Sequence, residues 1–127
     1  MQDSLRNFKA EFFKALSHPI RIKIFELLRA GELSVTDLQD RLGIESSSVS
    51  NHLSILRHKN IVERCKVRTT AYYRVRDPEI FELLDVACRI FKNQLLNTRL
   101  TLEQLEGENA ENTQDIDAKR ASPISVS

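Results

Sequence analysis

The spacing of apolar residues changes character once along the chain, close to residue 60. Before that point, apolar residues recur every three or four positions in four successive segments, the pattern of short amphipathic helices around one core. After it, strand-forming residues over 61–75 flank the polar stretch Lys66–Thr70, which predicts a two-stranded hairpin. A last helical pattern follows Asp77, a predicted N-cap. The order predicts a mainly α-helical α+β fold with a small β-hairpin.

Capping residues predict where the helices begin and end. Pro19 starts the second helix, because proline is tolerated in the first turn of a helix but not in its interior. Ser34 and Asp37 have the spacing of a capping box at the start of a third helix, which Gly43 ends. After a tight connection, a fourth helix is expected from about Ser46 to Lys59. Two helices joined by such a turn form a helix-turn-helix.

The outward face of the fourth helix consists of short polar side chains. Such donors and acceptors let a helix approach base edges in the major groove, while the basic hairpin tip can reach phosphates or the neighbouring minor groove. The predicted contacts to double-stranded DNA are Ser46, Ser47, Ser48, Ser50, Asn51, His52, Arg57, Lys66, Arg68, Thr69 and Thr70. Considered separately, the serines also suit a plain helix cap and the charges a solvated edge hairpin. Because the serines and the basic hairpin are adjacent in the chain, binding to DNA is favoured over these two separate interpretations.

Charge is distributed unevenly along the chain. Residues 1–104 carry 17 basic and 13 acidic side chains, whereas residues 105–127 carry 2 and 5. A local basic excess, concentrated between Arg57 and Arg76, suits a polyanion better than a small substrate. The polar composition from Glu106 onward predicts disorder. We therefore expect a DNA-binding and dimerisation domain over 1–104 and a disordered acidic tail over 105–127.

Several classes of protein are disfavoured by what the sequence lacks. The longest run without Asp, Glu, Lys or Arg, Ser46–Leu56, is mostly polar, and residues 1–14 have no signal-peptide core, so we expect no membrane contact and a cytoplasmic location. No nucleophile, base and orienting group lie at recognisable spacing. With glycine only at Gly31, Gly43 and Gly107, no phosphate-binding loop is present. We expect neither an enzyme nor a cofactor.

Apolar stripes on the first and last helices predict a homodimer. A fold of this size has few elements that could cover both stripes, and pairing each with its copy buries them. The predicted interface residues are Leu5, Phe8, Phe12, Leu84, Phe91 and Leu95. Packing of both faces within one monomer is the alternative. A twofold dimer would place two recognition helices about 34 Å apart on one side of the duplex and predicts an inverted-repeat operator.

Four segments together resemble a known family. They are Phe13–Arg21, Ser48–Leu56, Ile61–Val62 and Tyr72–Val75, and the similarity extends over roughly residues 5–104. In these segments the chain resembles the ArsR/SmtB family of winged helix-turn-helix repressors. The resemblance implies a DNA-binding homodimer that represses its own operon and is released by an inducer, whose identity it leaves open.

The chain departs from the family at its metal sites. Metal-sensing members carry a cysteine pair in the third helix, at the positions of Ser34 and Thr36 here, and neutral hydroxyls bind soft metals far more weakly than thiolates. The second family site needs histidines on the last helix, where this chain has Asp85 but no histidine. We expect no metal site. The hairpin also has Arg68 near the place of the usual turn glycine, which leaves its turn geometry open.

Three alternatives concern the signal and the partner. Cys65 lies among cations that favour the reactive thiolate, so Cys65 and Cys88 are candidates for redox or electrophile sensing, against an incidental hairpin residue and a small buried core residue. The second alternative is a regulator without a small-molecule inducer, which is controlled by its abundance or by a protein partner through its acidic tail. A winged-helix module that binds protein rather than DNA is the third.

Overall fold

The computed structural model of the chain describes residues 1–111. Residues 1–82 form one compact unit, and the described residues from Leu83 to 111 form another. The elements are α1 Gln2–Leu16, α2 Pro19–Leu28, β1 Leu33–Ser34, α3 Val35–Leu42, α4 Ser46–His58, β2 Val62–Val67, β3 Thr70–Val75 and α5 Glu79–Glu111. The predicted fold class, mainly helical with a small antiparallel sheet, is confirmed.

The core of the first unit lies among α2, α3, α4 and the start of β2. Its largest fully buried side chains are Phe25, Ile24, Leu38, Leu53, Leu56, Val49 and Val62. Burying a side chain of this size stabilises the fold by about 1.5–3 kcal/mol relative to leaving it in water. Three of these residues belong to α4, so the core fixes which side of α4 faces inward.

Local capping interactions set the helix ends as predicted. His18 precedes α2, and its Nδ1 accepts a hydrogen bond from the backbone N–H of Ile20 at 3.1 Å. The capping box at the start of α3 is formed, and Gly43 ends that helix with a φ of 69°. After α4, Asn60 has a φ of 60°, a left-handed conformation that asparagine tolerates better than most residues.

The hairpin of β2 and β3 is confirmed, and a short third strand joins it. β2 pairs with β3 from Val62 opposite Val75 to Val67 opposite Thr70. β1, which was not predicted, pairs antiparallel with β3 and gives the strand order β1-β3-β2. A two-residue strand has no periodicity of its own, so only its pairing with β3 reveals it.

α5 extends beyond the boundary that the sequence suggested at residue 104. Asp77 caps the helix, because its Oδ1 accepts a hydrogen bond from the backbone N–H of Glu79 at 3.1 Å. The helix then continues through 105–111, where leucine, glutamate and alanine favour a helix although Gly107 and Asn109 do not. The remainder of the predicted tail lies outside the described residues. Among residues 1–111, no helix is both long enough and apolar enough to cross a membrane.

Candidate nucleic-acid interface

α4 presents its short polar side chains to solvent. Val49, Leu53 and Leu56 are fully buried, so the opposite side of the helix faces outward. This exposed side carries the five predicted contact residues that precede His52 in the chain, which are Ser46, Ser47, Ser48, Ser50 and Asn51. The structure therefore brings these predicted contacts together on one helix surface.

Ser54 belongs to the same surface and was missed. It is exposed, and it follows Ser47 and Asn51 at helical spacings of seven and three residues, so all three lie on one side of α4. That side is opposite the buried stripe. The spacing alone was sufficient to identify Ser54, because it follows directly from the inward positions of Val49 and Leu53.

The tip of the hairpin is a turn of two residues, Arg68 and Thr69. The strands extend to Val67 and Thr70, so the turn is tighter than the polar stretch suggested. Arg68 has a φ of 60°, and a positive φ at the first central residue only is the feature of a type II′ turn, where glycine is favoured. An L-residue in this region costs about 1–2 kcal/mol.

The cations of the hairpin fall into two groups. Arg64, Lys66 and Arg68 are exposed and make no ion pair with any residue in the described range 1–111. Arg74 instead donates from Nε to the carboxylate of Glu63 at 2.7 Å and lies 3.6 Å from that of Glu32. The hydrogen bond to Glu63 raises the pKa of Arg74 further above its usual range. Lys66 and Arg68 thus keep their charge available.

Arg57, Thr69 and Thr70 are exposed as well. Arg57 lies in the last turn of α4, whereas the two threonines are at the hairpin turn. All the predicted contact residues are therefore exposed, except His52, which is part-buried.

His52 differs from the serines because its ring is part-buried and held in place. Its Nδ1 accepts a hydrogen bond from Arg21 Nε at 3.1 Å, and the ring of His18 lies 4.5 Å away between centroids. Burial, and then the nearby His18 and Arg21, lower the pKa of His52. His52 immediately precedes buried Leu53, so it lies on the flank of α4 rather than on its outermost face.

The stripes predicted for a dimer are largely solvent-exposed in this single chain. On α1, Leu5 is 53% and Phe8 61% exposed, and the Phe8 ring stacks on half-buried Phe12 with centroids 5.8 Å apart. On α5, Phe91 and Leu95 are 59% and 54% exposed, and Leu84 is half-buried.

A second apolar stripe on α5 was not predicted. It lies on the side of the helix opposite Phe91 and Leu95 and is also exposed. Its members are Val86, Ile90, Leu96 and Leu100. Its members alternate with those of the predicted stripe along the helix, so α5 exposes apolar residues on two sides.

The cysteines considered for sensing are accessible, whereas the hydroxyl residues at the family's metal positions do not form a metal site with other described residues. Cys65 and Cys88 are both free and exposed, so Cys88 is not the small buried core residue considered above, because its part of α5 is in contact with solvent. The Ser34 hydroxyl is engaged in the capping box and Thr36 is exposed. Within residues 1–111, no three His, Cys, Asp or Glu side chains are close enough together to hold a metal ion.

Comparison with known proteins agrees with this architecture. A family model described as a helix-turn-helix domain matches residues 16–65. The HTH-type transcriptional regulator Rv0081 of Mycobacterium tuberculosis is 38% identical over 104 residues, which cover 81% of this chain and 91% of that regulator. The transcriptional repressor SmtB homolog of Synechocystis is 36% identical over 74 residues, covering 58% of this chain and 56% of its own.

Solved structures show the same fold. The crystal structure of Rv0081 matches with a TM-score of 0.67 at 39% identity, covering 76% of this chain and 96% of that one. The solution structure of the homodimeric winged helix-turn-helix DNA-binding domain of Mb0332 from Mycobacterium bovis, described as a possible ArsR-family regulator, matches with a TM-score of 0.68 at 26% identity. That alignment covers 74% of this chain and 87% of the other.

Proposed function

The chain belongs to the ArsR/SmtB family of winged helix-turn-helix transcriptional regulators, and we propose that it is a homodimeric repressor of an inverted-repeat operator. Members of this class bind DNA and are not enzymes. One observation carries the proposal: the exposed polar face of α4 is followed in the chain by a hairpin whose tip cations have no acidic partner among the described residues.

We assign sequence reading to the outer face of α4. Ser47, Asn51 and Ser54 lie opposite the buried stripe, and their short side chains let the helix backbone come close to base edges. Asn51 can make two hydrogen bonds to an adenine edge in the major groove. Arg57, in the last turn of the same helix, is placed to contact a phosphate.

We assign nonspecific affinity to the hairpin tip. Lys66 and Arg68 carry positive charges that no acidic group among residues 1–111 neutralises. Thr69 and Thr70 add hydroxyl donors for phosphate oxygens. Contacts of this kind fix the orientation of the protein on the duplex and make its affinity depend on salt.

We propose that the homodimer forms through the exposed stripes of α1 and α5. The homodimeric relative Mb0332 supports this assembly, as does the amount of apolar side chain that Phe8, Phe91 and Leu95 expose in a single chain. A twofold axis would place two copies of α4 in successive major grooves about 34 Å apart. The operator is then an inverted repeat. Release by an inducer follows from the resemblance to the family.

The operator is first identified by sequencing the genomic fragments that the purified protein captures. Binding of that duplex is then measured over a series of salt concentrations and compared with an unrelated duplex. We expect the operator to bind at least a thousandfold more tightly and its affinity to fall steeply with salt. Equal binding to both duplexes, or affinity that does not change with salt, would contradict the proposal.

A variant separates base reading from charge. Asn51→Ala is expected to cost about 1–3 kcal/mol of operator binding and to relax selection at one base pair, because an amide contact to a base edge is lost. Nonspecific binding to the unrelated duplex should be unchanged. Equal weakening on both duplexes would instead indicate that Asn51 contacts the sugar-phosphate backbone of the DNA.

A thiol-sensing repressor is the second candidate, favoured by the exposure of both cysteines. A peroxide would oxidise a thiolate to a sulfenic acid, with one peroxide oxygen leaving as water. In that case peroxide releases the wild-type protein from its operator but not the Cys65→Ser, Cys88→Ser double variant. Equal release of both proteins would exclude the two thiols as sensors.

A further inference from the structure

Three side chains form a cluster where α1 and α2 meet α4. His18 lies between α1 and α2, Arg21 belongs to α2, and His52 belongs to α4. Arg21 Nη1 donates to the carbonyl oxygen of Ala15 at 3.0 Å, and Arg21 Nε donates to His52 Nδ1 at 3.1 Å. One guanidinium thus ties the end of α1 to the helix that carries the candidate DNA contacts.

The direction of the second hydrogen bond determines where the imidazole proton lies. The Arg21 guanidinium is a donor and never an acceptor, so His52 Nδ1 must present a lone pair. In a neutral imidazole the single ring proton is then on Nε2. Nε2 itself makes no hydrogen bond with the described residues 1–111, and the ring is part-exposed.

We propose that Arg21 is a positioning residue of the DNA interface, which holds His52 in one orientation as a neutral hydrogen-bond donor through Nε2. The inference rests on the proposed function and adds a residue that does not itself touch DNA. A fixed Nε2–H matches acceptors such as the O6 and N7 of guanine, the N7 of adenine, the O4 of thymine or a phosphate oxygen. It cannot accept a hydrogen bond from a cytosine or adenine amino group.

Protonation of His52 opposes this arrangement. A proton on Nδ1 would face the Arg21 N–H, donor against donor, and the hydrogen bond would be lost. The titratable and charged groups around the ring, His18 and Arg21, are both basic, and together with burial they lower the pKa of His52. The neutral donor is therefore the form present near neutral pH.

Two substitutions of His52 separate its bond to Arg21 from its contact with DNA. In His52→Gln the amide nitrogen reaches the place of Nε2, whereas in His52→Asn the amide oxygen occupies the place of Nδ1 and can still accept from Arg21. We expect His52→Gln, which keeps the donor but loses its bond to Arg21, to bind the operator about threefold more weakly than wild type. We expect His52→Asn, which loses the donor, to bind about tenfold more weakly, the cost of one lost base or phosphate contact. Equal affinity of the two variants would overturn the proposal.

Nuclear magnetic resonance of the imidazole nitrogens tests the role of Arg21 directly in the free protein. About one pH unit above the ordinary histidine pKa, wild-type His52 should be entirely in the Nε2–H form. Arg21→Met should give a mixture of the two tautomers and a raised His52 pKa, whereas the control Lys23→Met, an exposed cation on the same helix, should change neither.

An unchanged tautomer in Arg21→Met would overturn the positioning role even if the variant bound DNA poorly. Failure of the wild-type protein to distinguish operator from unrelated duplex would overturn the proposed function instead. The tautomer measurement uses no DNA, so the two failures are distinguishable.

Discussion

Ser34 and Asp37 each accept a hydrogen bond from the other's backbone N–H group, and both donor–acceptor distances are 3.1 Å. Ser34 also pairs with Tyr72 in the sheet, so one residue ends β1 and caps α3. Because α3 packs against α4, this pair helps to fix the position of the helix that carries the candidate DNA contacts.

Removing the Ser34 hydroxyl should destabilise the fold. We expect Ser34→Ala to lower the free energy of unfolding by about 1 kcal/mol, the usual cost of losing an N-cap side chain. Ser34→Thr keeps a capping oxygen and should cost less. Urea denaturation of both variants measures the difference, and equal losses would show that the hydroxyl is not the stabilising group.

His52 should make stability depend on pH below neutrality. Its pKa in the folded chain is lowered from the ordinary value of 6.5, so its contribution is complete above that pH. As the pH falls below 6.5, the unfolded chain binds a proton more readily than the folded one, and the free energy of unfolding decreases until the folded-state pKa is passed. Urea titrations between neutral pH and pH 5 should show a smaller decrease for His52→Gln. An identical slope would contradict the prediction.

The hairpin turn should become more stable when Arg68 is replaced by glycine. The left-handed φ of Arg68 costs an L-residue about 1–2 kcal/mol, which glycine avoids, whereas a β-branched residue tolerates this region least. Arg68→Gly should therefore raise the melting temperature and Arg68→Val should lower it. Both variants remove the same charge and should weaken DNA binding equally. If both shifted the melting temperature in the same direction, the prediction that Arg68 strains the turn would be wrong.

The unpaired and the paired cations of the hairpin should differ in their effect on the salt dependence of DNA affinity. Lys66→Ala removes an unpaired charge, so the slope of log affinity against log salt should become shallower by about 0.9. Arg74→Ala removes a charge already paired with Glu63 and should change the slope little. Filter binding at several salt concentrations measures both, and equal changes would show that the Glu63 pair opens on DNA.

A charge placed in the α5 stripe that contains Phe91 and Leu95 should dissociate the proposed homodimer. Leu95→Glu puts a carboxylate into the proposed interface and is expected to shift the mass measured by light scattering from dimer to monomer. Gln94→Glu adds the same charge at an exposed position between the two apolar stripes of the helix and should leave the dimer intact. A dimeric Leu95→Glu protein would move the interface away from this stripe.

Much of the fold was predictable because its signals are local. The cap at Ser34, the helix start at Pro19 and the left-handed Gly43 depend on residues within a few positions of one another. The outer face of α4 was predictable for the same reason, since Val49 and Leu53 set its inward side and helical periodicity sets the rest. Ser54 was overlooked although the same spacing identifies it.

By itself, the sequence determined the order of helices and hairpin, the capping residues and the location of the excess positive charge, because each depends on neighbours along the chain. Tertiary structure decided the rest. β1 exists only through its pairing with β3, Arg74 is neutralised by Glu63 across the sheet, and His52 is oriented by Arg21 from another helix. These contacts join residues far apart in sequence, and the spacing of residues along a chain does not specify which distant side chains the folded core brings within hydrogen-bonding distance.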